Sequence, residues 1–271
     1  EAIEPVVREA LSAASTAVED LEGVAVTQGP GLIGCLLVGV AAARAFAMAR
    51  GIPVVGVNHL AGHIASGWIE TPDLPYPALA LVVSGGHTAL WHVAGPRAFT
   101  QRAKTRDDAA GEAFDKVAKL LGLPYPGGVA IDRLAREGDP RAVRFPKAIV
   151  KGGQLEFSFS GLKTALLHHV RRRGVPAGPE LADLCASYQE AIVAALVQKL
   201  FRAARTLQLD RVVLSGGVAA NSRLRQAVNE RAAEYEGMRV LLPPRRLCTD
   251  NAAMIAAAGT QALLRGERQG P

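Results

Sequence analysis

Two histidines four residues apart, in His59-Leu60-Ala61-Gly62-His63, are the side chains whose spacing most directly suggests chemistry. On a helix, an i, i+4 spacing turns both imidazoles to one face, where they can share a metal ion. The pair has the spacing of a zincin helix, but Leu60 stands where a zincin carries its glutamate base. Glu70, the nearest downstream carboxylate, is out of register. Two ligands leave a site incomplete, and two histidines on a solvated helix face need hold nothing. Cys248-Thr249-Asp250-Asn251 offers a third group. Thr249 or Asp250 is placed to cap the helix that follows, and an Asp there can also give an oxygen to an ion held by two histidines.

Two turns of identical sequence, Ser84-Gly85-Gly86 and Ser215-Gly216-Gly217, each end an apolar run. Backbone amides in such turns can cradle an anion, and glycine lets a phosphate approach closely. One such turn is commonly just a turn; two in an alternating chain point toward a nucleotide cleft. Neither fits the P-loop or the Rossmann fingerprint. His87 follows the first turn and reads as a hairpin or phosphate-side residue rather than a ligand. In Asp107-Asp108-Ala109-Ala110-Gly111-Glu112-Ala113-Phe114-Asp115-Lys116, the acids Asp108, Glu112 and Asp115 fall at i, i+4 and i+7 on one helix face. They complement a helix dipole, pair with Lys116, or meet ribose hydroxyls or a metal. The spacing leaves these open.

The elements that must hold these groups alternate, strand with helix, which is the pattern of an α/β protein. Helices are expected over 5–18, 32–50, 107–121, 180–207, 221–231 and 250–264, with another following Ser158–Gly161 and ending in His168-His169-Val170-Arg171-Arg172-Arg173. That basic run suits a helix C-terminus, or phosphate contact. Strands are expected over 24–27, 53–57, 78–83, 87–93, 211–214 and 239–242, with the second Ser-Gly-Gly echoing the first. The stretch 123–128, with two Pro and two Gly, reads as a turn. The Pro-rich break from Pro72 to Pro77 marks a domain boundary.

Composition narrows the class. Of 271 residues, 49% are hydrophobic and 21% charged, which excludes disorder and leaves room for one large domain or two modest ones. The longest apolar runs, such as 79–83 and 191–197, fall far short of the ~20 residues that span a bilayer. No export signal opens the chain, so no membrane role and a cytoplasmic location are expected. Cys35, Cys185 and Cys248 lie far apart without a C-x-x-C pair, as in a reducing compartment. Lys plus Arg number 31 against 25 Asp plus Glu, a net charge of +6, and 24 of the 31 are Arg. Arginine suits bidentate phosphate contact, so this excess reflects either a polyanionic partner or genome composition.

Seven ordered motifs carry a resemblance. They are His59–His63, Val83-Ser-Gly-Gly-His-Thr88, Asp107–Lys116, Tyr125-Pro-Gly-Gly128, Phe157-Ser-Phe-Ser-Gly-Leu-Lys163, Ser215-Gly-Gly-Val-Ala-Ala-Asn221 and Cys248–Asn251. In this order the chain resembles the bacterial TsaD family over nearly its whole length. That family comprises the catalytic subunits of threonylcarbamoyladenosine synthesis in tRNA, formerly described as glycoproteases or O-sialoglycoprotein endopeptidases. The resemblance implies a two-lobed actin/sugar-kinase/Hsp70-like α/β fold with a nucleotide cleft between lobes, 1–76 with 248–271 forming the first lobe and 77–247 the second. It implies transfer of threonylcarbamoyl from threonylcarbamoyl-AMP to N6 of adenosine 37 in tRNAs that read codons beginning with A. By the same resemblance His59, His63 and Asp250 bind one divalent metal, iron(II) or alternatively zinc, and their ligand atoms are expected within roughly 4–5 Å of each other. Val82, Val83, Ser84, Gly85, Gly86, Asp115, Gly128 and Asn221 bind the adenylate, with Glu112 and Asp132 as further candidates. The implied partners are tRNA, a paralogous non-catalytic subunit of the same fold and a small ATPase. The family opens with a hairpin carrying a phosphate loop, and closes with a tail, that this chain is expected to lack, leaving its first lobe incomplete.

Other readings are a non-catalytic nucleotide-binding scaffold or inactive fragment of the same family, an ATPase or kinase of the same fold, and a metalloprotease. The last requires a glutamate beside the histidine pair, and position 60 is Leu.

Overall fold

In the computed structural model, which describes residues 2–148 and 155–267, the elements run α1 (Ile3–Ala13), β1 (Val24–Gly29), α2 (Ile33–Arg50), β2 (Val54–Asn58) and α3 (His59–Ser66). There follow β3 (Ala78–Val83), β4 (Thr88–Val93), β5 (Phe99–Lys104), α4 (Ala110–Leu120), α5 (Gly127–Ala135), α6 (Ser160–Arg173) and α7 (Gly178–Thr206). The chain continues through β6 (Arg211–Ser215), α8 (Ser222–Ala232), β7 (Arg239–Leu241) and α9 (Ala252–Leu263). It divides into two compact units, Glu1–Ile69 with Asn251–Pro271, and Glu70–Asp250. Both are α/β.

In the first unit β1 and β2 pair in parallel, from Val24 opposite Val54 to Gly29 opposite Asn58. Val55 and Val57 of β2 pack with Met254, Ile255 and Ala262 of α9 to make a small core. The helix α3 follows β2 with no intervening residue and packs against α9. The helix α2 lies along β1, yet Ala47 is its only buried residue, and Ile33, Leu37, Val38 and Met48 are exposed. With 18 residues and a mean hydropathy of 1.6, α2 is long and apolar enough to cross a membrane by length and composition. The helix expected over 32–50 is this one, and Gly34, Gly39 and Arg44 break its apolar residues into short runs.

The second unit is built on a five-stranded sheet in the order β5-β4-β3-β6-β7. The pairs β3/β4 and β4/β5 are antiparallel; β3/β6 and β6/β7 are parallel. All six residues of β3 are buried, which is why it reads as an unbroken apolar run rather than an alternating one. The long helix α7 carries Tyr188 into the core, where its hydroxyl donates to the carbonyl of Ala113. Burial pushes the Tyr188 hydroxyl's pKa upward, aided by the charge of Asp108.

Three expectations need correction. The strand β5 escaped notice because, as an outer strand, four of its six residues are exposed and only Ala103 is buried. The stretch 123–128 is not wholly a turn, because α5 begins at Gly127 and buries Ala130, Ile131 and Asp132. The first helix ends at Ala13, and a short 3-10 turn occupies Val18–Asp20.

Candidate functional site

The two histidines are oriented from the strand before them. Asn58, the last residue of β2, caps α3 by accepting from the amides of Leu60 and Ala61, at 2.9 and 3.3 Å. This places His59 in the first turn and His63 one turn later, on the same face. Their rings meet edge to face with centroids 4.7 Å apart, and His63 is fully buried. Asp250 is joined directly to Asn251, which caps α9 by accepting from the amide of Met254 at 2.8 Å. The cap is therefore Asn251, not Thr249 or Asp250. The sequence reading erred because all three types are good caps and spacing alone does not choose among them.

One ligand atom from each of His59, His63 and Asp250 lies within 4.8 Å of the others. Two ligands bonded to one ion at 2.0–2.2 Å sit about 3–4 Å apart, so side-chain adjustments of under about 1 Å would bring them to a shared ion. Two imidazoles and one carboxylate suit a borderline divalent metal, so the donor set fits. Glu70 is engaged with Arg246, and Leu60 supplies no base.

In the second unit the two Ser-Gly-Gly turns leave the sheet side by side. Val82 of β3 stands opposite Ser215 of β6 in a parallel pair, so both turns lie at the C-terminal ends of adjacent strands. That is where open α/β sheets bind ligands. The first turn is closed by Ser84, whose amide donates to the carbonyl of His87 at 2.7 Å and whose hydroxyl accepts from the His87 amide at 3.2 Å. Gly85 and Gly86 are exposed at its tip, behind the buried Val82 and Val83. In the second turn Gly216 adopts φ +89°, and a Cβ there would lie 2.4 Å from the carbonyl oxygen of Val83. Only glycine lets the turns approach this closely. The Ser215 hydroxyl is buried with no hydrogen-bond partner among the described residues.

The N-terminus of α4 also meets the first turn. The Ala110 amide donates to the Thr88 hydroxyl at 2.9 Å and the Gly111 amide to the Ser84 carbonyl at 3.3 Å. A Cβ on Gly111 would fall 2.6 Å from that carbonyl oxygen and 2.7 Å from the Cα of Gly85.

The helix expected from residue 107 begins only at Ala110, so Asp108 precedes α4 and only Glu112 and Asp115 of the three acids lie on it; all three meet mostly protein. Asp108 pairs with Lys116 at 2.7 Å and Lys163 at 3.2 Å. Partial burial pushes its carboxyl up, but the two lysines outweigh that and hold it below the usual carboxylate range. Glu112 pairs with Lys116 at 2.8 Å and accepts from the Ala109 amide at 3.4 Å. Asp115 accepts from the Gly127 amide at 2.8 Å through one oxygen, so it closes the start of α5 and keeps Gly128 beside α4.

Two residues farther along are more enclosed. Asp132 accepts from the Ser222 hydroxyl at 2.6 Å and from the Ser222 amide at 3.2 Å, and pairs with Arg136. The Asn221 side chain donates to Gln189 at 2.6 Å and caps α8 by accepting from the Leu224 amide at 2.9 Å. One Asn221 N–H donor is left over.

Asp107 was not among the site residues. It accepts from the amides of Phe159 and Ser160 at 2.8 and 3.3 Å, and from the hydroxyls of Ser158 and Ser160. Partial burial raises its pKa, but these hydrogen bonds prevail and hold it low. The repeated small hydroxyls of Ser158-Phe159-Ser160 are the signal that could have revealed such an acceptor.

The comparisons with known proteins agree with one another. The sequence model described as TsaD, tRNA N6-adenosine threonylcarbamoyltransferase, matches residues 1–257. A tRNA N6-adenosine threonylcarbamoyltransferase from Anaeromyxobacter dehalogenans (strain 2CP-C) is 69% identical over 267 residues, which cover 98% of this chain and 80% of that protein. One from Geobacter sulfurreducens is 54% identical over 270 residues, covering 100% and 79%. The crystal structure of full-length HypF in its phosphate- and nucleotide-bound form superposes with a TM-score of 0.68, over 98% of this chain and 42% of that one. At 14% identity that likeness is one of fold. With the match running from the first residue into α9, and relatives this similar across nearly the whole chain, the protein belongs to the TsaD family of tRNA N6-adenosine threonylcarbamoyltransferases.

Proposed function

We propose that this protein moves the threonylcarbamoyl group from threonylcarbamoyl-AMP to N6 of adenosine 37 in tRNAs reading codons that begin with A. The observation that carries the reading is the family match over residues 1–257 with a relative 69% identical. The local geometry fits it. Two glycine turns and the start of α4 meet at the C-terminal ends of parallel strands, a setting suited to an adenylate phosphate.

The transfer needs no protein nucleophile. The exocyclic amine attacks the carbamoyl carbonyl carbon, the bond to the phosphate oxygen breaks, AMP leaves and the amine gives up one proton. In our reading the exposed Gly85 and Gly86 present the turn's amides to the phosphate, held in place by Val82, Val83 and Ser84 behind them. Asp115 keeps one carboxylate oxygen for a ribose hydroxyl while the other holds Gly127. Gly128 gives the sugar room, the remaining N–H of Asn221 addresses the base, and Asp132 and Glu112 support these from their own partners. His59, His63 and Asp250 would hold one divalent ion, iron(II) or alternatively zinc. Such an ion supplies Lewis-acid polarisation and a fixed point for both reactants. Positioning of the two reactants supplies the rest.

The proposed partners are tRNA, a paralogous non-catalytic subunit of the same fold and a small ATPase, in a cytoplasmic setting. The test is to incubate the protein with threonylcarbamoyl-AMP and an unmodified tRNA transcript, then digest the RNA to nucleosides. Threonylcarbamoyladenosine should form, and a transcript with guanosine at position 37 should stay unmodified. Equal modification of both transcripts, or none of either with every partner supplied, would overturn the reading.

A further inference from the structure

Helix α6 has two conspicuous ends. Its first turn is fastened to the segment that opens α4, because Asp107 takes hydrogen bonds from Ser158, Phe159 and Ser160, and Asp108 pairs with Lys163. Leu162 and Leu166 are buried and fix the helix along its length. Its last turn carries Arg171, Arg172 and Arg173, all exposed. Among the described residues no acid forms an ion pair with any of the three.

The charge around that turn is uneven. His169 and Arg173 share one face at i, i+4 spacing and line a recess of about 270 Å³ with Glu180 and Asp183 of α7. Asp183 is already engaged by the Asp139 amide at 2.7 Å. His169 is pushed below its ordinary pKa by partial burial, then by Arg173 and Arg172. Arg171 lies about 200° around the helix from His169, and Arg172 shares a face with His168.

We propose that the last turn of α6, centred on Arg171 and Arg172, is a contact surface for the phosphate backbone of the tRNA. Eleven to twelve residue steps from Ser160, at ~1.5 Å each, set this surface about 17 Å from the end of α6 that is fixed to the segment opening α4. A nucleic acid whose adenosine reaches the adenylate at α4 has backbone phosphates at that distance, and guanidinium forks match phosphate oxygens. Contacts of this kind position the RNA without reading its bases. The inference rests on the tRNA-modifying reading above.

The helix dipole favours cations at this end whatever they do, so the test must read RNA binding rather than stability. Affinity for an unmodified tRNA transcript is measured from 50 to 200 mM salt for the wild type and for Arg171→Ala/Arg172→Ala. Two lost phosphate contacts should reduce the salt slope by about 2. Over that fourfold range the variant should lose about tenfold less affinity than the wild type. Arg171→Lys/Arg172→Lys should recover most of the slope. Arg102→Ala/Arg231→Ala, which removes the same charge from exposed positions elsewhere in the unit, should leave it unchanged. Affinity for an adenylate analogue should be equal in all four proteins.

An unchanged slope in Arg171→Ala/Arg172→Ala overturns the proposal, as does an equal fall in the Arg102/Arg231 control. If the wild type binds tRNA with no salt dependence, the surface is refuted while the transferase reading stands. If the wild type binds no tRNA with its partners present, that reading falls and the surface falls with it.

Discussion

Replacing Gly111 with alanine sets two physical effects against each other. Gly111 is the second residue of α4, and in a helix alanine is favoured over glycine by about 0.8–1 kcal/mol. Its added methyl, however, would lie 2.6 Å from the Ser84 carbonyl oxygen, 2.7 Å from the Gly85 Cα and 2.9 Å from the Gly85 amide nitrogen. All three are backbone atoms of the first Ser-Gly-Gly turn, so no side chain can swing aside. Overpacking of this kind costs about 1–3 kcal/mol, enough to reverse the propensity gain. Gly161 is the matched control, because it is the second residue of α6 and a Cβ there meets nothing within 4 Å. The propensity gain cancels between the two variants, so their stability difference isolates the clash and should be about 2 kcal/mol. Urea denaturation midpoints read this difference. Calorimetry with a non-hydrolysable adenylate reads the second consequence. Gly111→Ala displaces the turn and should weaken binding at least about tenfold, or 1.4 kcal/mol, while Gly161→Ala should bind as the wild type does. Equal stability and equal adenylate affinity in the two variants would refute the placement of α4 against the turn and its part in binding.

Asp115→Asn keeps an acceptor for the Gly127 amide and loses only the charge, whereas Asp115→Ala loses both. Calorimetry should show weaker adenylate binding in each, but thermal unfolding should show only the alanine variant destabilised, by about 1 kcal/mol as for a lost helix cap. Asp107 is held below the ordinary carboxylate value of 3.8, so its charged form stabilises the fold above that value. The contribution fades as pH falls through the lower folded value. The stability gap between wild type and Asp107→Asn, followed by urea midpoints from pH 7 to pH 3, should therefore shrink on acidification; a constant gap would refute the clasp. A divalent ion supplied at 100 times its Kd should stabilise the wild type by about 2.7 kcal/mol. Asp250→Asn and His63→Ala should lose most of that gain in thermal shift measurements, and full stabilisation of either would exclude it as a ligand.

Much of the fold is legible in the residues because each helix and inner strand carries its own period. The stretches 78–83 and 211–214 are apolar throughout and became the buried neighbours β3 and β6. What stayed hidden depends on contacts between distant segments. The parallel pairing that sets Val82 opposite Ser215 joins residues more than a hundred positions apart, and no local pattern encodes it. The acids 108, 112 and 115 have the spacing of a ligand site, yet Asp108 precedes α4 and meets Lys163 from α6, and Glu112 meets Lys116. Position 163 carries no mark of that partnership. The histidine spacing was readable, and so was the presence of acids and caps around Asp250. That Asn251 takes the capping role and leaves Asp250 for other use follows only from the hydrogen bond to Met254.

In the proposed reaction the threonylcarbamoyl group passes directly from the adenylate to the adenosine amine. A single-turnover reaction with threonylcarbamoyl-AMP labelled in its carbamoyl carbon, with unmodified tRNA and the partner proteins present, tests it most directly. One AMP should be released for each label recovered on the adenosine, with none on the protein at any time. Label trapped on a protein side chain before it reaches the RNA, or AMP released with no label in the tRNA, would contradict it.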